Sequence, residues 1–577
     1  MLAPPPVVPV TSPVPTSTVI RRVQKAFRTT ARPGAKRDVS PLMRRLAISF
    51  PHLHGAQRRR AAGLLARPTA GSSDPDGGGW TAPEATGSPL CSAHFCVHWV
   101  STGSDAPPPG DSNANGVPDW VEAVSATAEH VYDYENGTLG WQAPKGDGSR
   151  GGGNDLTDIY LEDVGGSGIY GYSAPDPQPD GNHLFAYLVL DNDFSPNQFP
   201  GYSTPLDPLD VTLAHEYNHV LQFGYDALEE TWMLESTAVW MEGKVYDPVH
   251  DYLQYLPGWV QLSEQPVTSF DGNDPNDRTN VKVYGSSVWN KWLDQRFGQD
   301  VVRKAWEDSD AANSFAPGAY NTAIRQNGGQ SFADEFDRFA AATAEWQAAN
   351  SGFPEGDLYP DVDRAGQAAV NGAPGTVPLD HTAYALLRVP VVSAPRIRLG
   401  VAAPAGTAAA LALVGRTGGS TGGTMIEQLR ELPNGGKGQV TFDNPGNLTR
   451  LTAVLINSDT KHGGYSDALQ DYRWSRDAQR FYAHTSTDFL APRVAGHFTT
   501  ATRVTVRFSE PVLGVSHNSF KIAGAAGTLH FATGERKATL TLKHPLGRGV
   551  HRVTLTGVIA DMTLNRLART GFTFRVR

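Results

Sequence analysis

Apolar positions in the first half of the chain follow two periods, one typical of strands and one typical of helices. Short apolar runs predict strands at 95–100, 158–161 and 186–190. Apolar residues at helical spacing predict helices around 120–134, 209–223, 229–242 and 284–296, and a later helix that carries Phe332, Phe336 and Phe339. Because most strands precede most helices, we expect an α+β domain, which we place at residues 87–351.

The second half has a different pattern, in which short Val, Leu and Ala runs are separated by Gly and Pro. The runs 396–401 and 451–456 predict a β-sandwich domain over residues 361–477. From residue 488 onwards, polar and apolar residues alternate in the runs 503–508, 538–542, 552–556 and 572–576. Alternation of this kind is typical of antiparallel strands, so we expect an Ig-like β-sandwich over residues 488–577. The predicted fold class is therefore multidomain, with an α+β domain followed by two all-β domains.

The first 68 residues differ in composition from the rest of the chain. A Pro-, Val- and Thr-rich opening predicts an extended or disordered start, and a basic stretch from Pro41 to Leu65 predicts a helix. We interpret residues 1–68 as an N-terminal extension. It is either a propeptide that docks on the rest of the chain and is cut at Arg58–Arg60, or a solvated basic tail. A linker rich in Gly, Ser and Pro comes next, over residues 69–86.

Charge is distributed unevenly along the 577 residues. Residues 1–67 carry a net charge of +12 and residues 488–577 carry +9, whereas the middle of the chain carries −31. The acidic middle would repel a phosphate backbone, so we expect no nucleic-acid partner. No apolar run reaches the length of a membrane-spanning helix, and we therefore expect no membrane span.

Cys91 and Cys96 are the only cysteines of the chain. A disulfide between them would imply an oxidising compartment, and two reduced thiols are the alternative. The first residues lack the basic and apolar regions of an export signal. If the protein is secreted, we expect its signal upstream of this start.

The residues that carry chemistry are concentrated in one predicted helix and the helix after it. His215 and His219 are four residues apart, which places both imidazoles on one face of a helix with Glu216 beside them. In this His-Glu-x-x-His arrangement two imidazoles bind one Zn²⁺ and the glutamate is the general base. Catalytic zinc needs a third protein ligand and one open position, and Glu235 is well placed to be that ligand.

The order of motifs resembles that of a group of secreted bacterial metalloproteases. The motifs are Cys-x-x-x-x-Cys-Val-His at 91–98, Asn-Gly-Val-Pro-Asp at 115–119, Val-Leu-Asp-Asn-Asp at 189–193, His-Glu-x-x-His-x-x-Gln at 215–222 and Glu-Ser-Thr-Ala-x-Trp-Met-Glu at 235–242. In addition, Trp232 to Glu242 resembles the helix that supplies the third zinc ligand in the gluzincin metallopeptidases. The resemblance implies a zincin-like fold for residues 87–351, Zn²⁺ on His215, His219 and Glu235, and Glu216 as general base.

Two further residues have alternative interpretations. Tyr284 lies where gluzincin aminopeptidases carry a tyrosine that stabilises the oxyanion. In this chain a glycine follows the tyrosine directly, whereas in those enzymes the glycine comes a few residues later. A packing role at the start of a helix is the alternative for Tyr284. Glu242 either orients a zinc ligand or is an exposed helix residue.

Two observations concern the substrate. The strand that ends in Asp191 is predicted to be an edge strand of the kind that holds a substrate by backbone pairing. The Gly-x-Met-Glu-Asn-type segment with which aminopeptidases hold a free amine is absent from the sequence. This absence favours cleavage within chains.

A calcium site is predicted independently of the zinc site. Oxygen ligands fall at the positions of a twelve-residue calcium-binding loop, with Gly116 at its sharp turn. The predicted ligands are Asp111, Asn113, Asn115, Val117 (through its carbonyl oxygen), Asp119 and Glu122. The alternative is an Asx-rich turn that caps a helix.

From the sequence we expect a secreted, zinc-dependent metalloprotease that hydrolyses peptide bonds within protein or peptide substrates and carries a structural Ca²⁺. The alternative is a non-catalytic extracellular binding or adhesion protein with a structural or degenerate zinc site. A zinc hydrolase acting on other amides or on glycans ranks below both, because the sequence offers no separate carboxylate pair for sugar chemistry.

Overall fold

The computed structural model describes most of the chain. The described residues are 16–32, 38–70, 79–151, 153–176, 183–269, 278–312, 316–419, 423–460, 465–466, 471–472, 477–563 and 565–577. The predicted extended opening up to residue 15 and the linker residues 71–78 lie outside them. The chain is mixed, with helices and several separate β-sheets, as expected of a multidomain protein with β-rich parts.

Helices are concentrated in the first 343 residues of the described chain. They are α1 (Thr16–Arg28), α2 (Ser40–Ser49), α3 (Gly55–Leu64), α4 (Asp119–Tyr132), α5 (Leu206–Asp226), α6 (Thr231–Val245), α7 (Leu256–Val260), α8 (Arg278–Gly285), α9 (Ser287–Phe297), α10 (Asp300–Ala312), α11 (Ala316–Gln326) and α12 (Phe332–Thr343). A π-helical turn, Asp133–Thr138, continues α4.

The strands fall into an early group, β1 to β5, and a long series after residue 365. The early strands are β1 (Leu90–Cys91), β2 (Phe95–His98), β3 (Thr157–Glu162), β4 (Gly171–Pro175) and β5 (Ala186–Asp191). The next are β6 (Gly366–Gln367), β7 (Gly375–Leu379), β8 (Ala383–Arg388), β9 (Arg396–Ala403), β10 (Ala409–Thr417), β11 (Thr424–Leu432), β12 (Gly436–Asp443), β13 (Arg450–Asn457), β14 (Tyr465–Ser466), β15 (Asp471–Tyr472) and β16 (Gln479–Ser486). The last are β17 (Val494–Thr499), β18 (Arg503–Phe508), β19 (Val512–Leu513), β20 (Phe520–Ile522), β21 (Gly527–His530), β22 (Lys537–Leu542), β23 (Gly549–Leu555), β24 (Ala560–Asp561) and β25 (Thr570–Val576).

The helix predicted over 284–296 is wrong at its start, because the structure has two helices there, α8 and α9, that meet near Ser286. Tyr284 therefore lies at the end of α8 and not at the beginning of a helix. Gly285 packs so closely that a Cβ built on it would lie 2.7 Å from the Tyr255 carbonyl oxygen. The residue after Tyr284 must therefore be small.

The early strands form one five-stranded sheet in the order β1-β2-β3-β5-β4. Strands β2, β3 and β5 are parallel, whereas β4 runs antiparallel to β5 along the edge. The prediction that the strand ending in Asp191 is an edge strand is therefore wrong. That strand is β5, which lies between β3 and β4 because the chain forms β4 first and then returns beside it.

The two faces of this sheet bury different parts of the chain. Residues such as Phe95 and Leu188 share a core with α4 and α5, which holds the His-Glu-x-x-His segment. On the other face, Tyr172 and Val189 pack against apolar residues of α1, α2 and α3. Within its described residues, the N-terminal extension is thus packed on the central sheet. This packing brings the start of α2 close to the histidines of α5.

The strands after residue 365 form a five-stranded sheet, β11-β10-β13-β8-β6, and a four-stranded sheet, β12-β9-β16-β7, around a shared core. The strands after residue 493 form another four-stranded sheet and a three-stranded sheet, which share a core of their own. The first of these β-rich parts is joined to the helical part by the fully buried Glu345, which pairs with Arg416 and Arg450.

Two other observations complete the fold. Cys91 and Cys96 are joined by a disulfide, as one of the two interpretations of the cysteine pair predicted. In the described part of the chain, every helix is either too short or too polar to cross a bilayer.

Candidate metal centre

Helices α5 and α6 pack side by side and bring His215, His219 and Glu235 together. The histidines are four positions apart, so they project from one face of α5, and their Nε2 atoms are 3.1 Å apart. Oε2 of Glu235 lies 3.4 Å from Nε2 of His215 and 3.5 Å from Nε2 of His219. Ligands held about 2.0 Å from a tetrahedral zinc are about 3.3 Å apart, so the three separations fit one Zn²⁺.

The tautomers of the two imidazoles follow from their other contacts. Nδ1 of His215 is 2.6 Å from Oε1 of Glu242, and Nδ1 of His219 is 2.7 Å from Oε1 of Gln222. The Gln222 oxygen must face His219, since the Gln222 amide nitrogen donates to two other oxygens. Each Nδ1 therefore carries a proton, which leaves Nε2 as the atom of each ring that can bind a metal.

Glu235 is a buried carboxylate that suits a metal ligand. Its side chain is fully buried, and neither oxygen has a donor in hydrogen-bond geometry among the described residues. An ionised carboxylate in such a place is costly unless a cation is next to it. Burial raises the pKa of Glu235, but the imidazoles of His219 and His215 outweigh burial and lower the pKa below its usual range.

The same electrostatics act on the histidines. Burial lowers the pKa of His215, but the carboxylates of Glu235 and Glu242 outweigh burial and raise it well above its usual value. Burial also lowers the pKa of His219, but the carboxylate of Glu235 outweighs burial and raises it. The pocket thus favours positive charge at the point where the three ligand atoms meet.

Glu216 lies beside the ligands, where a general base is expected. It is buried, and its Oε2 accepts hydrogen bonds from Oγ of Ser173 at 2.8 Å and Oγ of Ser40 at 2.9 Å. Ser173 belongs to the edge strand β4, whereas Ser40 is the first residue of α2. Both the sheet edge and the N-terminal extension therefore contact Glu216.

A fourth carboxylate completes the cluster, and no sequence pattern points to it. Asp38 lies close enough that one ligand atom from each of Asp38, His215, His219 and Glu235 falls within 4.8 Å of the others. Its Oδ2 is 3.9 Å from Nε2 of His215 and accepts a hydrogen bond from the Tyr284 hydroxyl at 2.9 Å. Burial, together with the nearby Glu235 and Glu216, raises the pKa of Asp38 well above its usual value.

The structure thus brings His215, Glu216, His219, Glu235 and Tyr284 to one place. Of the two alternatives for Glu242, the structure favours the residue that orients a ligand over the exposed helix residue, because its side chain is only 5 % exposed and contacts His215. Gln222 and Ser173 have no role predicted from the sequence. Gln222 is detectable as the residue three positions after His219, on the same face of the helix.

The predicted calcium loop has the backbone pattern of a tight ligand loop. The carboxylate of Asp111 accepts from the backbone nitrogens of Asn115 and Gly116, and Gly116 has a left-handed φ of +87°. Glu122 faces the loop and accepts from the side-chain amides of Asn113 and Asn115. Asp119 accepts from the backbone nitrogen of Ser112, and the Val117 nitrogen donates to Asn115. These hydrogen bonds are those of an Asx-rich turn that caps a helix, and they are equally compatible with a calcium loop.

Comparisons with known proteins add little. No protein-family model matches the sequence, and no curated protein matches it. One similar solved structure is the glycoside hydrolase domain of Endo-D from Streptococcus pneumoniae R6, with 10% identity, a TM-score of 0.17, and alignment of 35% of this chain with 31% of that one. Another is a β-glucuronidase from Faecalibacterium prausnitzii, with 13% identity, a TM-score of 0.13, and 34% of this chain aligned with 36% of that one. Each alignment spans about a third of either chain, and similarity this low carries no argument about function.

Proposed function

We propose that this protein is a zinc-dependent peptidase that hydrolyses bonds within protein or peptide substrates. The observation that carries the proposal is the trio of buried ligand atoms of His215, His219 and Glu235, which lie 3.1–3.5 Å apart around one point. The finer fold description, a zincin-like domain followed by a β-sandwich and an Ig-like domain, belongs to the same proposal, as does secretion. A structural Ca²⁺ in the loop from Asp111 to Glu122 is a further part of it.

The residues around the trio have the positions that such a hydrolysis requires. His215, His219 and Glu235 would hold the Zn²⁺, which would supply a Lewis acid and a water of lowered pKa, about 7, at this point. Glu216, beside the ligands, takes the proton from the attacking water and passes it to the leaving amine. The Tyr284 hydroxyl, which reaches the place of the Asp38 carboxylate, donates a hydrogen bond to the oxyanion.

Two outer residues hold the ligands in place. Glu242 and Gln222 fix the rotation and tautomer of the imidazoles through Nδ1, so that both Nε2 atoms are available. Strand β4, the edge of the sheet next to α5, is the strand whose backbone would pair with an extended substrate. In the described chain the Ser173 nitrogen of this strand donates to the hydroxyl of Ser40, the first residue of α2.

The test compares zinc content and proteolysis in matched variants. We expect about one zinc per chain at this centre, lost in His219→Gln and retained in His130→Gln, which changes an exposed histidine of α4. Casein cleavage is assayed in the Asp38→Ala background, because Asp38 lies at the fourth ligand position. A chelator should stop cleavage and Zn²⁺ should restore it. Zinc binding without any cleavage would favour the non-catalytic binding protein instead.

A further inference from the structure

The short segment from Asp38 to Ser40 lies directly over the metal centre. Oδ2 of Asp38 is held by the Tyr284 hydroxyl at 2.9 Å, and Oδ1 accepts from the Ser40 backbone nitrogen at 2.7 Å. These two hydrogen bonds aim the carboxylate at the ligand trio, 3.9 Å from Nε2 of His215. A carboxylate oxygen is an ordinary zinc ligand, so Asp38 suits the position that a catalytic site leaves for water.

The same segment also engages the proposed base. Ser40 is 1 % exposed, and its hydroxyl donates to Oε2 of Glu216 at 2.9 Å while it accepts from the Ser173 nitrogen at 3.0 Å. Together with the hydroxyl of Ser173, the Ser40 hydroxyl engages Oε2 of the carboxylate that we propose as the base. Two residues that lie close together in the chain thus occupy both the open ligand position and the base.

We propose that the N-terminal segment 38–67 is a built-in inhibitor of the metal centre, in which Asp38 supplies a fourth metal ligand and Ser40 blocks Glu216. The proposal rests on the function proposed above and names its regulation. It also decides between the two interpretations of the basic extension, since a solvated tail would not place a carboxylate in the site.

Hydrogen bonds and ion pairs of two largely buried arginines hold this segment in place. The Arg44 guanidinium, 3 % exposed, donates to the carbonyl oxygens of Ala227 and Glu229 at 3.1 and 2.6 Å. Arg67 pairs with three aspartates of the central part, including Asp176 at 2.6 Å. The net charge of +12 in residues 1–67 against −31 in the middle of the chain favours the same contact.

Release of the segment has an accessible starting point. Arg58, Arg59 and Arg60 are all exposed on α3, where an arginine-directed protease can reach them. A cut there leaves Asp38 and Arg44 on the same fragment, ahead of the cut. Separation of that fragment, and not the cut itself, would open the centre.

The test uses the full chain loaded with Co²⁺ in place of Zn²⁺, and acetohydroxamate as a probe of the open ligand position. We compare the parent with Asp38→Ala and Asp38→Asn, and use Gln57→Ala, an exposed change on α3, as the matched control. Acetohydroxamate should bind Asp38→Ala at least about tenfold more tightly than the parent, with a change in the visible Co²⁺ spectrum. The acetohydroxamate affinity of Asp38→Asn should lie between those of the parent and Asp38→Ala, and the affinity of Gln57→Ala should equal that of the parent.

Cleavage of a peptide substrate is measured in the same samples. A rise of about tenfold or more in Asp38→Ala supports both the inhibitor and the peptidase. Tighter acetohydroxamate binding without cleavage in any variant supports the inhibitor and contradicts the peptidase. Equal acetohydroxamate affinity in parent and variants overturns the inhibitor, whether or not peptide is cut, and a chain that binds no Co²⁺ contradicts both. If Asp38→Ala does not fold, Asp38→Asn, which keeps the shape of the side chain, decides the matter.

Discussion

Replacing Glu242 tests how a neighbouring residue alters the affinity of the metal ligands while the ligands themselves stay unchanged. Its Oε1 is 2.6 Å from Nδ1 of His215, in a charge-assisted hydrogen bond that makes the imidazole a stronger ligand. A hydrogen bond to a charged group contributes about 1.5–3 kcal/mol and a neutral one about 0.5–1.5 kcal/mol. Glu242→Gln, which keeps a neutral bond, should therefore cost about 1 kcal/mol of zinc-binding free energy. Glu242→Leu should cost about 1.5–3 kcal/mol.

These free energies convert into affinities that can be measured. We expect the Kd for Zn²⁺ to rise about fivefold in Glu242→Gln and between about tenfold and 100-fold in Glu242→Leu. Competition with a zinc-binding fluorescent chelator gives the Kd of each variant. The control is Glu307→Gln, which removes a partly exposed carboxylate paired with Arg303 on α10. If Glu242→Leu binds Zn²⁺ as tightly as the parent, the orienting role assigned to Glu242 is wrong.

Three further predictions concern other parts of the chain. Glu345→Ala should lower the free energy of unfolding by about 3–5 kcal/mol, because it leaves Arg416 buried without its carboxylate. Denaturant titration measures this loss of stability, and a loss below about 1 kcal/mol would refute the prediction. Burial lowers the pKa of Lys282 to about 7, so the unfolded chain binds more protons above that pH. Stability should consequently rise between about pH 7 and 10 by at most about 1.4 kcal/mol per pH unit, and Lys282→Met should flatten the rise. Ca²⁺ should raise the melting temperature of the parent but not of Glu122→Gln, and equal responses would contradict the calcium loop.

The sequence predicted the parts of the site that depend on local spacing. Helix period places His215 and His219 one turn apart, and the resemblance of residues 232–242 to the gluzincin helix pointed to Glu235. Asp38 is separated from His215 by more than 170 residues and precedes the predicted helix that begins at Pro41, so no sequence pattern links it to the histidines. Only the packing of α2 on β4 brings it to the centre.

The order of the strands in the sheet could not be predicted from the sequence either. The apolar runs that became β2, β3 and β5 were found correctly within a residue or two. An apolar run buried on both sides, however, gives no sign of which strand lies at the edge. The edge strand β4 was not among the predicted strands, and the contact of its Ser173 with Glu216 was missed with it.

The most direct test of the account is product analysis with a defined peptide mixture. Mass spectrometry would compare the Asp38→Ala chain with the Asp38→Ala/Glu216→Gln double variant, after elemental analysis shows equal zinc in both. The account predicts cuts at internal peptide bonds by the first chain and none by the second. Equal cleavage by both chains, or none by the first despite bound zinc, would contradict the assignment of this centre as a peptidase with Glu216 as its base.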